Sequence, residues 1–313
     1  MRSSRLLAST AATLLTPLTL LAASTLAAQR LTVAERLGYP ADAKLLIVHA
    51  DDLGVAHSVN AASFDALDRG AVSSASVMMP TPWVTEVAAY VKAHPNADVG
   101  LHLTLTSEWE TYRWGPLAAR DAVRGLVDSA GTLWKDTPLV TAHATPAEAE
   151  REVRAQIEAA LRLGIRPTHI DSHMGSLFTT PEMVAVIVRL GHEYGLPFLG
   201  LRVPAFTAAG LGERDVIPDA VVMANESVPR DRWKQFYLDA VKSLKPGLTE
   251  MIVHLGHDDA ELQAVMLNHE PYGSAWRQRD YDVVTSPEFR QALKDNGVVL
   301  VKWRDIQKLA APR

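Results

Sequence analysis

Residues 44–54, Lys44-Leu-Leu-Ile-Val-His-Ala-Asp-Asp-Leu-Gly54, begin as an apolar run and end in two adjacent carboxylates. A short apolar run that is β-branched at its end predicts a buried strand over residues 44–49. Asp51 and Asp52 follow that strand directly. Two neighbouring carboxylates repel each other and lose hydration there, unless a cation or a proton offsets their charge. The structural alternative is a loop and an Asp at a helix N-cap.

Strand-like and helix-like segments alternate along the rest of the chain. Helices are predicted over residues 58–69, 81–92, 181–193, 230–244, 287–295 and 303–309, and Thr145-Pro-Ala-Glu148 matches a capping box that starts another. Further strands are predicted over residues 72–79, 98–105, 167–171, 198–203, 249–255 and 298–301. This alternation predicts an α/β fold, an irregular (β/α) barrel of seven or eight parallel strands in a single domain. A doubly wound open sheet is the alternative.

The composition is typical of an ordinary globular protein. Of the 313 residues, 48% are hydrophobic and 21% are charged, and the formal net charge is −5. The lack of a basic excess argues against a nucleic-acid partner and gives no reason to expect an anionic membrane surface as one. The chain contains no cysteine, which excludes disulfides, thiolate metal sites and cysteine nucleophiles.

The N-terminal residues have the features of an export signal. Arg2 and Arg5 precede residues 6–28, which carry no charge and end in small side chains. This pattern predicts a signal peptide over residues 1–28, a mature domain over residues 29–313 and a periplasmic or secreted location. A transmembrane anchor is the alternative, although Pro17 and seven Ser or Thr residues in that segment weaken it.

Histidine and aspartate recur where other predicted strands end. His102 lies in the strand over residues 98–105, and His254 ends the strand Met251-Ile-Val-His254. His169, Asp171 and His173 share one face if their strand continues that far. Because the carboxyl ends of parallel strands meet on one side of a barrel, we expect these groups to lie together, although each alone could be a core or surface residue.

Such a set of side chains has a recognisable chemistry. One Asp with two His supplies three nitrogen and oxygen ligands to a metal ion and leaves a position open for water. A spare carboxylate can then act as a base and a spare His as an acid. This combination predicts a metal-dependent hydrolase of amide or ester bonds.

A long segment, residues 106–144, is rich in aromatic side chains. It carries Trp109, Tyr112, Trp114 and Trp134. Loops of this length are usually functional or disordered. The aromatic rings either stack on a sugar or form a small core of the segment's own, and the sequence leaves both interpretations open.

Five segments resemble, in order, motifs of the YdjC-like carbohydrate deacetylases, the family of chitooligosaccharide deacetylase. The resemblance extends from about residue 45 to residue 309. The segments are Leu46-Ile-Val-His-Ala-Asp-Asp-Leu-Gly54, Val99-Gly-Leu-His-Leu-Thr-Leu-Thr106, Arg166-Pro-Thr-His-Ile-Asp-Ser-His173, Glu250-Met-Ile-Val-His-Leu-Gly256 and the block from Arg279 to Phe289.

The resemblance implies a distorted (β/α) barrel with a divalent metal ion, either Zn²⁺ or Mg²⁺. The implied metal ligands are Asp52, His102 and His173. Asp51 would be the general base, and His254 would protonate the leaving amine or stabilise the oxyanion. The implied reaction is removal of N-acetyl groups from amino sugars, oligosaccharides or glycolipids.

Several features concern the substrate. The resemblance implies substrate binding by Arg279, and we expect Trp109 and Trp114 to take part.

The chain departs from the family pattern at two places. His173 is followed by Met174-Gly175, where the family often has consecutive His, and His49 stands where Asn is common. Alternatives are a hydrolase of an O-acetyl ester or a phosphoester, and a non-catalytic glycan-binding protein. The sequence leaves the oligomeric state open, a homodimer included.

Overall fold

The apolar run that begins at Lys44 forms the central strand of a parallel sheet. In the computed structural model, which describes residues 31–212 and 214–310, seven strands pair in parallel with one another. They are β1 (Lys44–Leu53), β2 (Ser74–Val77), β3 (Val99–Leu103), β4 (Ile170–Ser172), β5 (Ala220–Met223), β6 (Gly247–His254) and β7 (Val298–Leu300).

Twelve α-helices are assigned within the same described residues. They are α1 (Val33–Arg36), α2 (His57–Asp68), α3 (Val84–Ala93), α4 (Thr137–His143), α5 (Pro146–Arg162), α6 (Pro181–Tyr194), α7 (Pro204–Ala208), α8 (Trp233–Ser243), α9 (Ala260–Val265), α10 (Ser274–Val284), α11 (Pro287–Asp295) and α12 (Trp303–Ala310). The capping box predicted at Thr145 and Glu148 is present at the start of α5. None of these helices is long and apolar enough to cross a bilayer. The predicted signal peptide, residues 1–28, lies outside the described residues and stays a prediction.

The sheet curls into an incomplete barrel. The strand order is β4-β3-β2-β1-β6-β5, and β7 pairs with the first residues of β1. Beyond β4, Phe198 makes a single parallel bridge to Ile170. Among the described residues, no strand pairing joins β5 to the segment around Phe198, so the barrel has a gap between its two edges. The predicted single-domain (β/α) barrel is confirmed in this open form.

Two segments differ from the sequence prediction at that gap. Residues 198–203 were expected to form a strand, but only Phe198 pairs, and Pro204 soon starts helix α7. Strand β5 was not expected, because Ala-Val-Val-Met is only four residues long and is largely exposed, so that it shows no alternation. Both segments are edges, where pairing on one side leaves little sequence signal.

Alternate residues of β1 face different cores. Leu46 and Val48 join the large core beneath the helices, whereas Leu45 and Ile47 pack inside the barrel with Trp303. Because strand side chains alternate, His49 would continue the inward row beyond Leu45 and Ile47. The floor of the barrel is therefore apolar, and polar side chains occupy the layer above it.

Candidate active site

An irregularity at the end of β1 brings both adjacent carboxylates into one cavity. The pairing of β1 with β2 shifts register between Ala50 and Leu53, and Asp52 adopts the left-handed region with φ of 69°. In a regular strand, neighbouring side chains point to opposite faces. The bulge re-aims Asp52, so that Asp51 and Asp52 both line the cavity at the carboxyl ends of the strands.

Three side chains converge on one point of that cavity. Oδ1 of Asp52 lies 3.3 Å from Nε2 of His102 and 3.3 Å from Nδ1 of His173. The three groups each offer a ligand atom within 4.8 Å of the others, and all three are buried. Oδ1 of Asp52 has no hydrogen-bond partner among the described residues, whereas Oδ2 accepts a 2.7 Å hydrogen bond from Nη2 of Arg277.

Further carboxylates orient the two imidazoles. Nδ1 of His102 lies 2.6 Å from Oδ1 of Asp171, and Nε2 of His173 lies 3.0 Å from Oε1 of Glu108. If each of these nitrogens donates its proton to the carboxylate, the other nitrogen turns a lone pair toward Asp52. Metal-binding histidines are usually held in this way. The donor set of one carboxylate oxygen and two imidazole nitrogens therefore fits a divalent cation.

The charges of this cluster reinforce one another. Burial alone would raise the pKa of Asp52, but Arg277 and the two imidazoles outweigh it and hold that pKa well below its usual range. Burial opposes the charged form of His173, yet Glu108 and Asp52 raise its pKa to about 9. Asp51 and Asp171 likewise raise the pKa of His102 against the effect of burial. In the absence of a cation, protons therefore take its place on the imidazoles.

Asp51 and His254 lie beside the three converging groups. Oδ2 of Asp51 is 3.7 Å from Nε2 of His102 and 3.8 Å from Nε2 of His254. Burial lowers the pKa of His254 to about 4, although Asp52 and Asp51 oppose that shift. His254 is therefore neutral near pH 7 and can donate a hydrogen bond from one ring nitrogen.

His49 lies beneath the cavity and joins the polar groups above it. Its Nε2 is 3.0 Å from Oδ1 of Asp51, 3.1 Å from Oδ2 of Asp171 and 3.0 Å from Oγ of Ser76. Burial opposes its protonation, but Asp171 and Asp51 raise its pKa to about 10. As an imidazolium, His49 donates its Nε2–H to Oγ of Ser76, and its positive charge offsets the charges of Asp51 and Asp171.

His169 takes no part in the Asp52 cluster. Its ring stacks on Trp303 at 5.0 Å, and a Cβ at Gly100 would come within 2.3 Å of it. Gly100 thus makes room for His169 deep in the barrel. His169 could form a second group of potential ligands with His49 and Asp171, but Asp171 already pairs with His102 and His49.

The structure places two predicted substrate-binding residues elsewhere. Trp114 is buried and is not among the cavity-lining residues, and its indole N–H donates to the carbonyl of Thr106. Arg279 lies over the ring of Trp233 at 4.8 Å, beside a separate depression. Trp109 does line the cavity, although it is only 1% exposed.

Sequence reasoning missed Arg277, which contacts Asp52 directly. Arg277 and Arg279 both lie on α10, two residues apart, and such positions point to different sides of a helix. Because the structure buries Arg277 and leaves Arg279 at another depression, only Arg277 reaches the cavity. The sequence offered two arginines and no means of deciding which one faces inward.

Known proteins resemble this chain over most of its length. The family model described as YdjC-like protein matches residues 45–295. A carbohydrate deacetylase of Thermus thermophilus is 32% identical over 272 residues, covering 83% of this chain and 93% of the relative. A carbohydrate deacetylase of Enterococcus faecalis is 26% identical over 273 residues, covering 84% and 98%.

A solved structure supports the same fold. A protein of Enterococcus faecalis V583, described as a proposed cellobiose-phosphate cleavage protein, superimposes with a TM-score of 0.70 at 26% identity. The match covers 84% of this chain and 98% of that protein. The likeness therefore extends over the whole barrel and is not confined to a few motifs.

Proposed function

We propose that this chain, which belongs to the YdjC-like family, is a metal-dependent hydrolase that removes N-acetyl groups from amino sugars in oligosaccharides or glycolipids. Curated relatives of the family are carbohydrate deacetylases. If the predicted export is correct, the substrate is a glycan or glycolipid outside the cytoplasm. The family membership supports the class of reaction, and the geometry of the cavity supports the metal dependence.

One observation carries the proposal. Oδ1 of Asp52, Nε2 of His102 and Nδ1 of His173 converge within 4.8 Å of one another, and Oδ1 lacks a hydrogen-bond partner in the part of the chain that the structure describes. These three atoms would hold a divalent cation, either Zn²⁺ or Mg²⁺. When bound, such a cation supplies Lewis acidity, which polarises an amide carbonyl and makes a water molecule a better nucleophile.

Asp51 is placed to act as the general base. Its Oδ1 is held by His49, so the carboxylate is fixed, while Oδ2 lies toward His102 and His254. Oδ2 therefore accepts the proton of the attacking water. As the amide C–N bond breaks and a C–O bond forms, that proton passes to the leaving nitrogen.

His254 is placed to stabilise the developing oxyanion. Its lowered pKa keeps the ring neutral at pH 7, so it has no extra proton to give to the amine. A neutral ring can still donate an N–H hydrogen bond from Nε2, which faces the cavity beside Asp51. Of the two roles that the resemblance implies for His254, oxyanion stabilisation fits this environment better.

A phosphoester substrate fits the cavity less well. Among the described residues that line it, Arg277 is the only Lys or Arg, and Asp52 already accepts from its Nη2. Phosphoryl groups usually need several cations, often including a second metal ion. The polar side chains of the cavity favour a neutral acyl group instead.

The proposal is tested by measuring acetate release from N-acetylated oligosaccharides. The enzyme is first treated with chelator and is assayed before and after addition of Zn²⁺ or Mg²⁺. We expect no acetate release without metal and restored release with it.

Asp52→Ala should lose the metal, measured by elemental analysis, because the site loses one of its three ligands and the only charged one. Asp51→Asn should keep the metal, while turnover falls by about 10²–10⁴.

Asp258→Asn is the matched control, because this exposed carboxylate lies only four residues after His254. It should retain both metal and turnover. Full activity in the chelated sample would refute the metal dependence. A metal-loaded enzyme that releases acetate from no N-acetylated sugar would refute the proposed reaction.

A further inference from the structure

We propose that the site prefers amides whose acyl chain is longer than acetyl, and that such a chain lies along an apolar wall of the cavity. This inference rests on the proposed function and names its substrate class. The apolar wall consists of Leu199, Leu201, Val221, Met223 and Ile252, which share one cavity of about 390 Å³ with Asp52, His102 and His173.

The two halves of the cavity have different chemistry. The polar side chains come from the ends of β1, β3, β4 and β6 and from the segments that follow β3 and β6. The apolar wall comes mainly from the two open edges of the sheet, β5 and the segment after Phe198. On the polar side, Glu108 and His269 are among the groups that could form hydrogen bonds with a sugar ring. The side chains of the wall offer none.

The wall is larger than an acetyl group requires and is partly exposed. Val221 and Met223 each retain 38% of their accessible surface, and Met174, at the same cavity, retains 47%. An acetyl group presents a single methyl. Clustered, exposed apolar side chains beside polar groups usually mark a surface that binds an apolar ligand, and methionine adapts readily to such a ligand.

The apolar surface continues away from the site. Leu201 also lines a neighbouring groove of about 670 Å³, together with Val203, Pro204 and Leu211. Among the described residues that line the groove, the charged side chain is that of Arg202, which is paired with Asp219 at 2.6 Å. A chain that starts at the scissile carbonyl can therefore leave the cation site over Leu201 without meeting an unpaired charge of these described residues.

Geometry assigns the chain to the acyl side of the amide. The carbonyl must lie at the Asp52 cluster for attack, so the first carbons of the acyl chain lie in the same cavity. Hydrolysis breaks the amide C–N bond and forms a C–O bond from water. The products are the carboxylate of the chain and the free amine of the sugar, which takes up a proton.

The inference is tested with the metal-loaded full chain. The rate of amine release is measured for N-acetyl-, N-butanoyl- and N-octanoylglucosamine. We expect kcat/KM for the octanoyl substrate to exceed that for the acetyl substrate by at least about tenfold, because each buried methylene strengthens binding. In Met223→Gln or Val221→Thr, that ratio should fall toward one. Leu161→Gln is the matched control, since Leu161 is exposed on α5, outside the cavity, and should leave the ratio unchanged.

Four results would overturn the inference. The first is hydrolysis of the acetyl substrate with little or none of the octanoyl substrate, which would leave the proposed function intact. The second is a kcat/KM that rises for an octyl glycoside of N-acetylglucosamine and not for the octanoyl amide. That result would place the alkyl group of the glycoside, and not an acyl chain, on the wall. A wild-type dimer that Met223→Gln converts to a monomer would show that a second copy covers the wall. Inactivity on every substrate would refute the proposed function itself, and the inference with it.

Discussion

At Asp52 the backbone conformation and the chemistry of the site depend on each other. A positive φ is unfavourable for most residues, but Asp tolerates it better than others. The bulge places Oδ1 between two imidazoles, where it lacks a hydrogen bond, and Arg277 holds Oδ2. Strain and an unpaired buried oxygen at one residue are typical of a functional position, because a fold gains nothing from either alone.

The convergence of the candidate residues was predictable where sequence alone carries the signal. The pairs of Asp and His at strand ends pointed to Asp51, Asp52, His102, His173 and His254, because parallel strands end on one side of the sheet. The role of His49 could not be predicted, since its carboxylate partner Asp171 lies on β4, three strands away from β1. The sequence indicates that the strand ends meet on one side of the barrel, but it does not show which side chains contact each other there.

His49 provides a prediction of pH-dependent stability. Its folded pKa of about 10 lies above the unfolded value of 6.5, so its contribution is complete below pH 6.5 and is lost as the pH rises toward 10. In that window the free energy of unfolding should fall by about 1.4 kcal/mol per pH unit through this group. Urea unfolding of wild type and His49→Asn between pH 7 and 9, in chelator, measures the difference in slope.

His143→Asn serves as the control for that measurement, because His143 is exposed at the end of α4 and does not line the cavity. Its slope should match that of the wild type. A His49→Asn variant with the wild-type slope would show that His49 is neutral in the folded protein.

At the scale of elements, the long segment after β3, residues 106–144 and called the excursion below, is a packed structure of its own. The indole N–H of Trp134 donates to the carbonyl of Gly125, and that of Trp114 donates to Thr106. Helix α5 holds the excursion from below, because the buried Glu152 accepts hydrogen bonds from the backbone N–H groups of Leu117 and Ala118. Of the two interpretations left open for these aromatic residues, a core of the segment's own describes Trp114.

Elements were predictable in proportion to their burial. β1, β3 and β6 are buried on both faces; β1 and β6 contain apolar runs, and in β3 apolar residues alternate with Gly100 and His102. The edge strand β5 was not predicted, and residues 198–203 were wrongly predicted to form a strand. Both lie at an edge of the sheet, where only one side is paired and the composition depends on what covers the other side. The helix α10 was not predicted either, since its mixed composition lacks a clear apolar stripe.

Glu152 gives a prediction for the link between α5 and the excursion. Glu152→Ala should lower the free energy of unfolding by about 3 kcal/mol, because a buried carboxylate is removed and two backbone N–H groups lose their acceptor. Glu158→Ala, on the same helix but half exposed and 3.9 Å from Arg162, should change it by less than about 0.5 kcal/mol. Urea unfolding at pH 7 measures both, and equal effects of the two substitutions would contradict the argument.

At the scale of the whole molecule, the candidate cation site joins parts of the chain that are far apart. Its three ligands lie near the end of β1, on β3 and directly after β4, and the barrel itself is not closed by hydrogen bonds among the described residues. A cation held there would link three strands of an open sheet. Its binding should therefore stabilise the fold as a whole, in addition to supporting the chemistry.

This linkage predicts a thermal shift. Because the unfolded chain does not preform the site, a cation at about 100 times its Kd should raise the free energy of unfolding by about 2.7 kcal/mol, or Tm by several degrees. At a fixed cation concentration the shift should be smaller at pH 6.5 than at pH 8.5, since the pKa of about 9 at His173 means that protons compete more strongly with the cation at the lower pH. Thermal melts with chelator and with Zn²⁺ measure it, and a shift of equal size in Asp52→Ala would show that the cation binds elsewhere.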